Sequence, residues 1–115
     1  MIQSTIKSFS HAVRGIAISL FGERNMRIHF AAVILVAFAG YYYEISSLEW
    51  LALLLCISMV IGLELVNSSI ERICDFVESD LNSKIRDIKD ISAGAVLWVS
   101  FVSVVVAAIV FIPKI

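Results

Sequence analysis

The sequence predicts an all-α membrane protein: an N-terminal amphipathic surface helix followed by three transmembrane helices. Three observations carry that prediction. Apolar residues make up 60% of the 115 positions and the mean hydropathy is +0.94, against roughly 45–50% apolar in ordinary soluble domains. A chain this short forms one domain, residues 1–115, and has too little interior to hide so many apolar side chains from water. Three long, nearly charge-free stretches are separated by polar ones, which is the pattern of membrane spans.

Residues 2–21 form the first element. Ile2, Ile6, Phe9, Val13, Ile16 and Leu20 recur at three- and four-residue spacing, and Gln3, Lys7, Ser10, His11 and Arg14 fill much of the other side. That stripe suits a helix lying in the membrane interface, with packing on the protein's own surface as the alternative. No uninterrupted apolar core or small-residue cleavage site occurs in residues 1–27, so no signal peptide is expected and the mature chain is expected to start at Met1.

Gly22 breaks the pattern, and Glu23, Arg24, Asn25, Arg27 and His29 form a short polar patch. The first span is expected over about residues 28–46, with Tyr41, Tyr42 and Tyr43 as an aromatic belt at its far end. A short turn holding Glu44, Ser46, Ser47 and Glu49 leads to Trp50, which anchors a second span over about 49–75. Residues 76–90, rich in Asp, Ser, Lys and Arg, read as a loop. The third span covers about 91–112, and Pro113 stops it.

Lysine and arginine set the orientation. Lys7, Arg14, Arg24 and Arg27 precede the first span, Arg72, Lys84, Arg86 and Lys89 lie at or beyond the inner end of the second, and only Lys114 falls on the other side. The N-terminus and the 76–90 loop are therefore expected together in the cytoplasm. The net charge of −1 carries no basic excess of the kind that marks nucleic-acid binding. Cys56 and Cys74, 18 residues apart, would be about 27 Å apart on one helix, beyond disulfide reach.

The residues that can carry chemistry sit on the second span. At 100° per residue Glu64, Asn67, Ser68, Glu71 and Asp75 share one face. Glu64 lies at the edge of the apolar stretch, where an ionisable side chain is costly and functional by default. Either it serves a reaction or a proton pathway, or it pairs with a basic residue such as Arg27 or Lys89 reaching in from the surface. Glu23 and Glu71 fall on the same side of the membrane, and two carboxylates with substrate phosphates are a usual way to hold Mg²⁺. Lys89, followed by Asp90, offers a point charge for phosphate. Ser92, Ala93, Gly94 and Ala95 open the third span with small residues that allow close helix contact. No Walker A or GxGxxG motif is present, so a nucleotide site would be built from helix faces.

Three segments together resemble one family: Glu23-Arg-Asn-Met-Arg-Ile-His29, Glu64-Leu-Val-Asn-Ser-Ser-Ile-Glu71 with Asp75, and Lys89-Asp-Ile-Ser-Ala-Gly-Ala-Val96. In order and spacing they are similar to the bacterial diacylglycerol kinase/undecaprenol kinase family over nearly the whole chain. The resemblance implies a homotrimer in the bacterial inner membrane. It also implies Mg²⁺-dependent transfer of the ATP γ-phosphate to a membrane lipid hydroxyl. By the same resemblance Glu64 is the general base, Glu23 and Glu71 are metal ligands that also meet the nucleotide, and Lys89 and Asp90 contact its phosphates. Asn67 and Asp75 shape the site, and residues 80–82 align with a nucleotide-contacting stretch. Ser68-Ser69 stands where many members carry other small residues, and His11 where some carry an aromatic one. The Glu-Arg-Asn-Met-Arg-Ile-His run and the Phe-Ile-Pro-Lys ending look more like the undecaprenol branch, with diacylglycerol as the other lipid. A small proton-coupled transporter or channel subunit using Glu64 as its proton site is the alternative function, and a non-catalytic adaptor a third.

Overall fold

A computed structural model describes residues 1–77 and 82–115. These residues form four α-helices and no strand: α1 Ile2–Gly22, α2 Arg24–Tyr42, α3 Ser47–Val77 and α4 Ser83–Phe111. A short 3-10 turn, Ile112–Lys114, closes the chain where Pro113 prevents α4 from continuing. Helices α2, α3 and α4 are each long and apolar enough to cross a membrane.

The spans run antiparallel in sequence order. At one end Gly40 of α2 lies under the Trp50 ring of α3, and Ile45, Leu53 and Val110 form a small buried cluster flanked by Val36, Tyr43 and Phe111. At the other end His29 of α2 faces Glu64 of α3, and Lys89 of α4 pairs with Asp75 of α3. The tight α2–α3 turn places Glu44 in the left-handed region, at φ 49°. Ser46 then starts α3 with a reciprocal cap. Its Oγ accepts from the Glu49 N–H at 3.2 Å, while Glu49 Oε1 accepts from the Ser46 N–H at 2.9 Å. This is the Ser-x-x-Glu capping box, which satisfies donors that a helix start leaves open.

The junction between α1 and α2 is a single extended residue, Glu23 (φ −130°, ψ 128°). Its N–H still closes α1 by donating to the Ser19 carbonyl at 3.0 Å. Arg27 reaches back and donates to the Phe21 carbonyl at 3.0 Å. A guanidinium there meets carbonyls that the helix leaves without partners and complements the negative end of its dipole. Met26 beside this corner is completely buried. The apolar stripe of α1 (Ile2, Ile6, Phe9, Val13 and Ile16) is exposed in the single chain.

Of residues 76–90, expected as a loop, 76, 77 and 83–90 are helical, and 78–81 lie outside the described residues. Helix α3 runs to Val77, and α4 begins at Ser83, eight residues before the apolar stretch at Ile91. The cause is a cap: Asn82 Oδ1 accepts from the Lys84 N–H at 2.9 Å and the Ile85 N–H at 3.3 Å. Asn at this position favours helix initiation whatever the polarity that follows. Helix α3, at 31 residues, is about 46 Å long, so it outruns a hydrocarbon core of about 30 Å.

Candidate active site

The inner end of α3 brings the acidic row together with the α1–α2 corner. Glu64, Asn67 and Ser68 are buried, with 3%, 5% and 4% of their surface exposed. Asn67 and Ser68 follow Glu64 by three and four residues, which puts all three on the helix face toward α2 and α1. Glu71 lies seven residues, two turns, farther along the same face, and Glu23 is bonded to Ser68 on it.

Glu23 is held from three sides. Its Oε2 accepts hydrogen bonds from Ser19 Oγ at 2.9 Å and from Ser68 Oγ, and its Oε1 lies 4.0 Å from an Arg72 guanidinium nitrogen. The two serine hydroxyls are themselves 3.2 Å apart and both residues are buried. Two of its partners lie on α3 and one on α1, so this carboxylate joins the surface-helix corner to the second span. Along α3, Asn67 Nδ2 donates to Glu71 Oε1 at 3.2 Å. The other side-chain atom of Asn67, Oδ1, is buried with no hydrogen-bond partner.

The ionisable neighbour of Glu64 is a residue with no separate role in the sequence reading: His29 Nε2 is 3.5 Å from Glu64 Oε2. Neither cation expected as a possible surface partner is there. Arg27 is engaged with the carbonyls at the end of α1, and Lys89 Nζ donates to Asp75 Oδ1 at 2.8 Å. Asp75 and Asp90 are exposed. Asp75 and Lys89 thus bridge α3 and α4 just beyond the buried row. Of residues 80–82, positions 80 and 81 lie outside the described residues, and Asn82 caps α4.

Ser19, His29 and Arg72 complete the cluster. Ser19 was legible in principle: a serine four residues before Glu23 faces it across the last turn of α1. His29 and Arg72 depend on how α2 and α3 cross, which periodicity within one helix does not give. Arg72 also lines a cavity of about 340 Å³ between α1 and α3, with Gly15, Ser19, Ser68 and Ser69 among its walls.

The donor set suits a hard divalent cation. Among the described residues no group of three or more His, Cys, Asp or Glu side chains is arranged to hold a metal alone. Glu23 and Glu71, with the orphaned Asn67 Oδ1 between them in sequence, supply oxygen donors. Mg²⁺ takes such ligands a few at a time, leaving the rest of its shell to water and phosphate.

The model of the prokaryotic diacylglycerol kinase family matches residues 10–111. The chain belongs to that family. It is 36% identical to the undecaprenol kinase of Bacillus subtilis (strain 168) over 108 residues, covering 94% of this chain and 88% of that protein. It is 32% identical to the diacylglycerol kinase of Synechocystis sp. over 109 residues, covering 92% of this chain and 61% of that longer protein. Membership makes the chain a membrane lipid kinase. An enzymatic phosphotransferase thereby replaces the transporter and adaptor alternatives that the acidic row alone left open.

Proposed function

We propose that this kinase transfers the γ-phosphate of ATP to the hydroxyl of a membrane lipid alcohol, undecaprenol or diacylglycerol, with Glu64 as general base. The observation that carries this reading is the burial of Glu64 against His29 at the membrane edge, beside Glu23 and Glu71. The lipid hydroxyl gives its proton to a Glu64 oxygen as its own oxygen forms a bond to the γ-phosphorus. The bond from that phosphorus to the β–γ bridging oxygen breaks, and ADP leaves with the electron pair. A positioned base contributes about 10²–10⁴-fold, and orientation with charge neutralisation supplies the remainder.

Glu23 and Glu71 would hold Mg²⁺, with Asn67 donating to Glu71 and so fixing its carboxylate. An ion held there would supply neutralisation of the charge that develops on the nucleotide phosphates. The same two carboxylates thereby border the nucleotide. Lys89, held by Asp75, and Asp90 at the start of the third span border the phosphate end. Asp75 keeps Lys89 aimed at the site. The rest of the nucleotide lies toward the cavity beside Ser68 and Arg72, a reading supported by the Arg72 guanidinium in its wall.

The chain sits in the bacterial inner membrane with its N-terminus and the α3–α4 connection on the cytoplasmic side, where ATP is. Eight of nine Lys and Arg residues on that side support this orientation. Helix α1 lies in the interface, supported by its exposed apolar stripe. The assembly is a homotrimer, supported by the family resemblance and by the small share of each span that the single chain covers. Purified protein in lipid nanodiscs should convert undecaprenol or diacylglycerol to its phosphate with Mg-ATP. Folded protein that phosphorylates neither lipid would overturn the proposal.

A further inference from the structure

A second cavity, of about 180 Å³, lies between α2, α3 and α4 on the membrane side of Glu64. Its walls are aliphatic except for His29, Ser100, Ser103 and the Cys56 thiol. Ser103 Oγ is already committed, donating to the Val99 carbonyl at 2.6 Å. Ser100 Oγ is buried and has no partner.

His29 and Ser100 fall at one end, while Cys56 lies eight residues before Glu64 on α3. Val110 packs with Leu53, Glu64 follows Leu53 by eleven positions, and Val99 precedes Val110 by the same eleven. In antiparallel helices of equal rise, Ser100 is therefore level with Glu64, and so with His29. The cavity then runs from this polar end toward Ala107 through aliphatic walls. A wholly apolar cavity of roughly 150 Å³ holds a benzene-sized group. This one has room for a short piece of hydrocarbon and not for a lipid tail.

We infer that this cavity seats the first segment of the substrate's hydrocarbon chain, and that His29 is a positioning residue that sets the hydroxyl on that chain against Glu64. The inference rests on the proposed role of Glu64. His29 belongs to both places: it lines the cavity and holds Nε2 3.5 Å from the Glu64 carboxylate. A hydroxyl entering from the cavity meets the imidazole and Glu64 together, with Ser100 as a further hydrogen-bond partner. The occupant is a hydroxyl carried directly on an aliphatic chain, of the polyprenol type. A diacylglycerol would bring ester carbonyls next to its hydroxyl, and the cavity offers them one unpartnered hydroxyl. Polar groups buried without partners are disfavoured.

The test uses the full chain in nanodiscs with Mg-ATP and either undecaprenol or diacylglycerol, with wild type, His29→Leu, His29→Gln and Ala107→Phe compared. His29→Leu should raise KM for undecaprenol about tenfold, the scale of one lost hydrogen bond, and leave KM for ATP unchanged. His29→Gln, which keeps a polar nitrogen, should restore most of the loss. Ala107→Phe should raise the lipid KM alone; if it does not fold, Ala107→Leu replaces it. Cross-linking with a polyprenol bearing a diazirine on its first isoprene unit should label the walls of the cavity in wild type and lose that labelling in the Ala107 variant. Active protein whose lipid KM and labelling are untouched by these changes overturns the cavity assignment, as does a wild type that prefers diacylglycerol. A folded wild type inactive on both lipids overturns the kinase chemistry itself, and the labelling then decides the cavity separately.

Discussion

Glu49 and Glu64 stand on the same helix, about 22 Å apart along its axis, in opposite circumstances. Glu49 is fully employed. One oxygen accepts from Lys114 Nζ at 2.8 Å and the other from the Ser46 N–H at 2.9 Å, so it ties the start of α3 to the end of the chain. Glu64 is buried, and the ionisable side chain facing it is a histidine at 3.5 Å. A carboxylate with every oxygen matched is part of the scaffold. A buried carboxylate left short of partners at membrane depth is unfavourable for stability, and its retention points to chemistry.

Substitutions at the two ends should therefore separate activity from stability. The largest effect is expected from Glu64→Gln, which keeps the shape and removes the base. Lipid phosphorylation should fall by at least about 10²-fold, while binding of a fluorescent ATP analogue survives. Retained turnover would remove Glu64 from the proton transfer and erase the contrast with Glu49.

Next come Glu23→Gln and Glu71→Gln. Each should raise the Mg²⁺ concentration giving half-maximal turnover by about tenfold or more, since even groups behind a metal ligand matter on that scale. Glu23→Gln should in addition loosen the α1 corner, seen as faster proteolysis near Gly22, because Ser19 and Ser68 both bond this carboxylate. Identical Mg²⁺ dependence in wild type and both variants would count against the metal assignment.

At the other end, Gly40→Ala should lower thermal stability and leave kcat nearly intact. The added Cβ would sit 2.5 Å from Trp50 Cη2 and 3.0 Å from Ile45 Cδ1, and such overpacking costs about 1–3 kcal/mol. A thermal melt in detergent reads the effect. Smaller still is Ser46→Ala, which removes the cap from the Glu49 N–H and should cost about 1 kcal/mol. Lipid kinase activity measured below the melting range should be unchanged, and a loss of turnover in either variant would show that the two ends are coupled.

The row of Glu64, Asn67, Ser68 and Glu71 was legible in the sequence because those side chains share one helix and helical periodicity is local. The three spans were legible for a similar reason: hydrocarbon demands long apolar runs with every backbone group bonded within the segment. The start of α4 was not, because hydropathy marks where the membrane begins while the Asn82 cap marks where the helix begins. The pairing of Lys89 with Asp75 was not legible either, because only the packing of α4 against α3 discloses it.

By itself the sequence determined a membrane-spanning helical chain, its acidic face and, through three spaced segments, its family. Periodicity, hydropathy and motif spacing all act along the chain, so they can be read from it. Only the tertiary structure decided that Ser19 and Ser68 grip Glu23, that Asn67 steadies Glu71, and that His29 stands between Glu64 and an apolar cavity. Those contacts depend on where helices cross and how they are rotated about their axes, and the packing of several helices fixes both together.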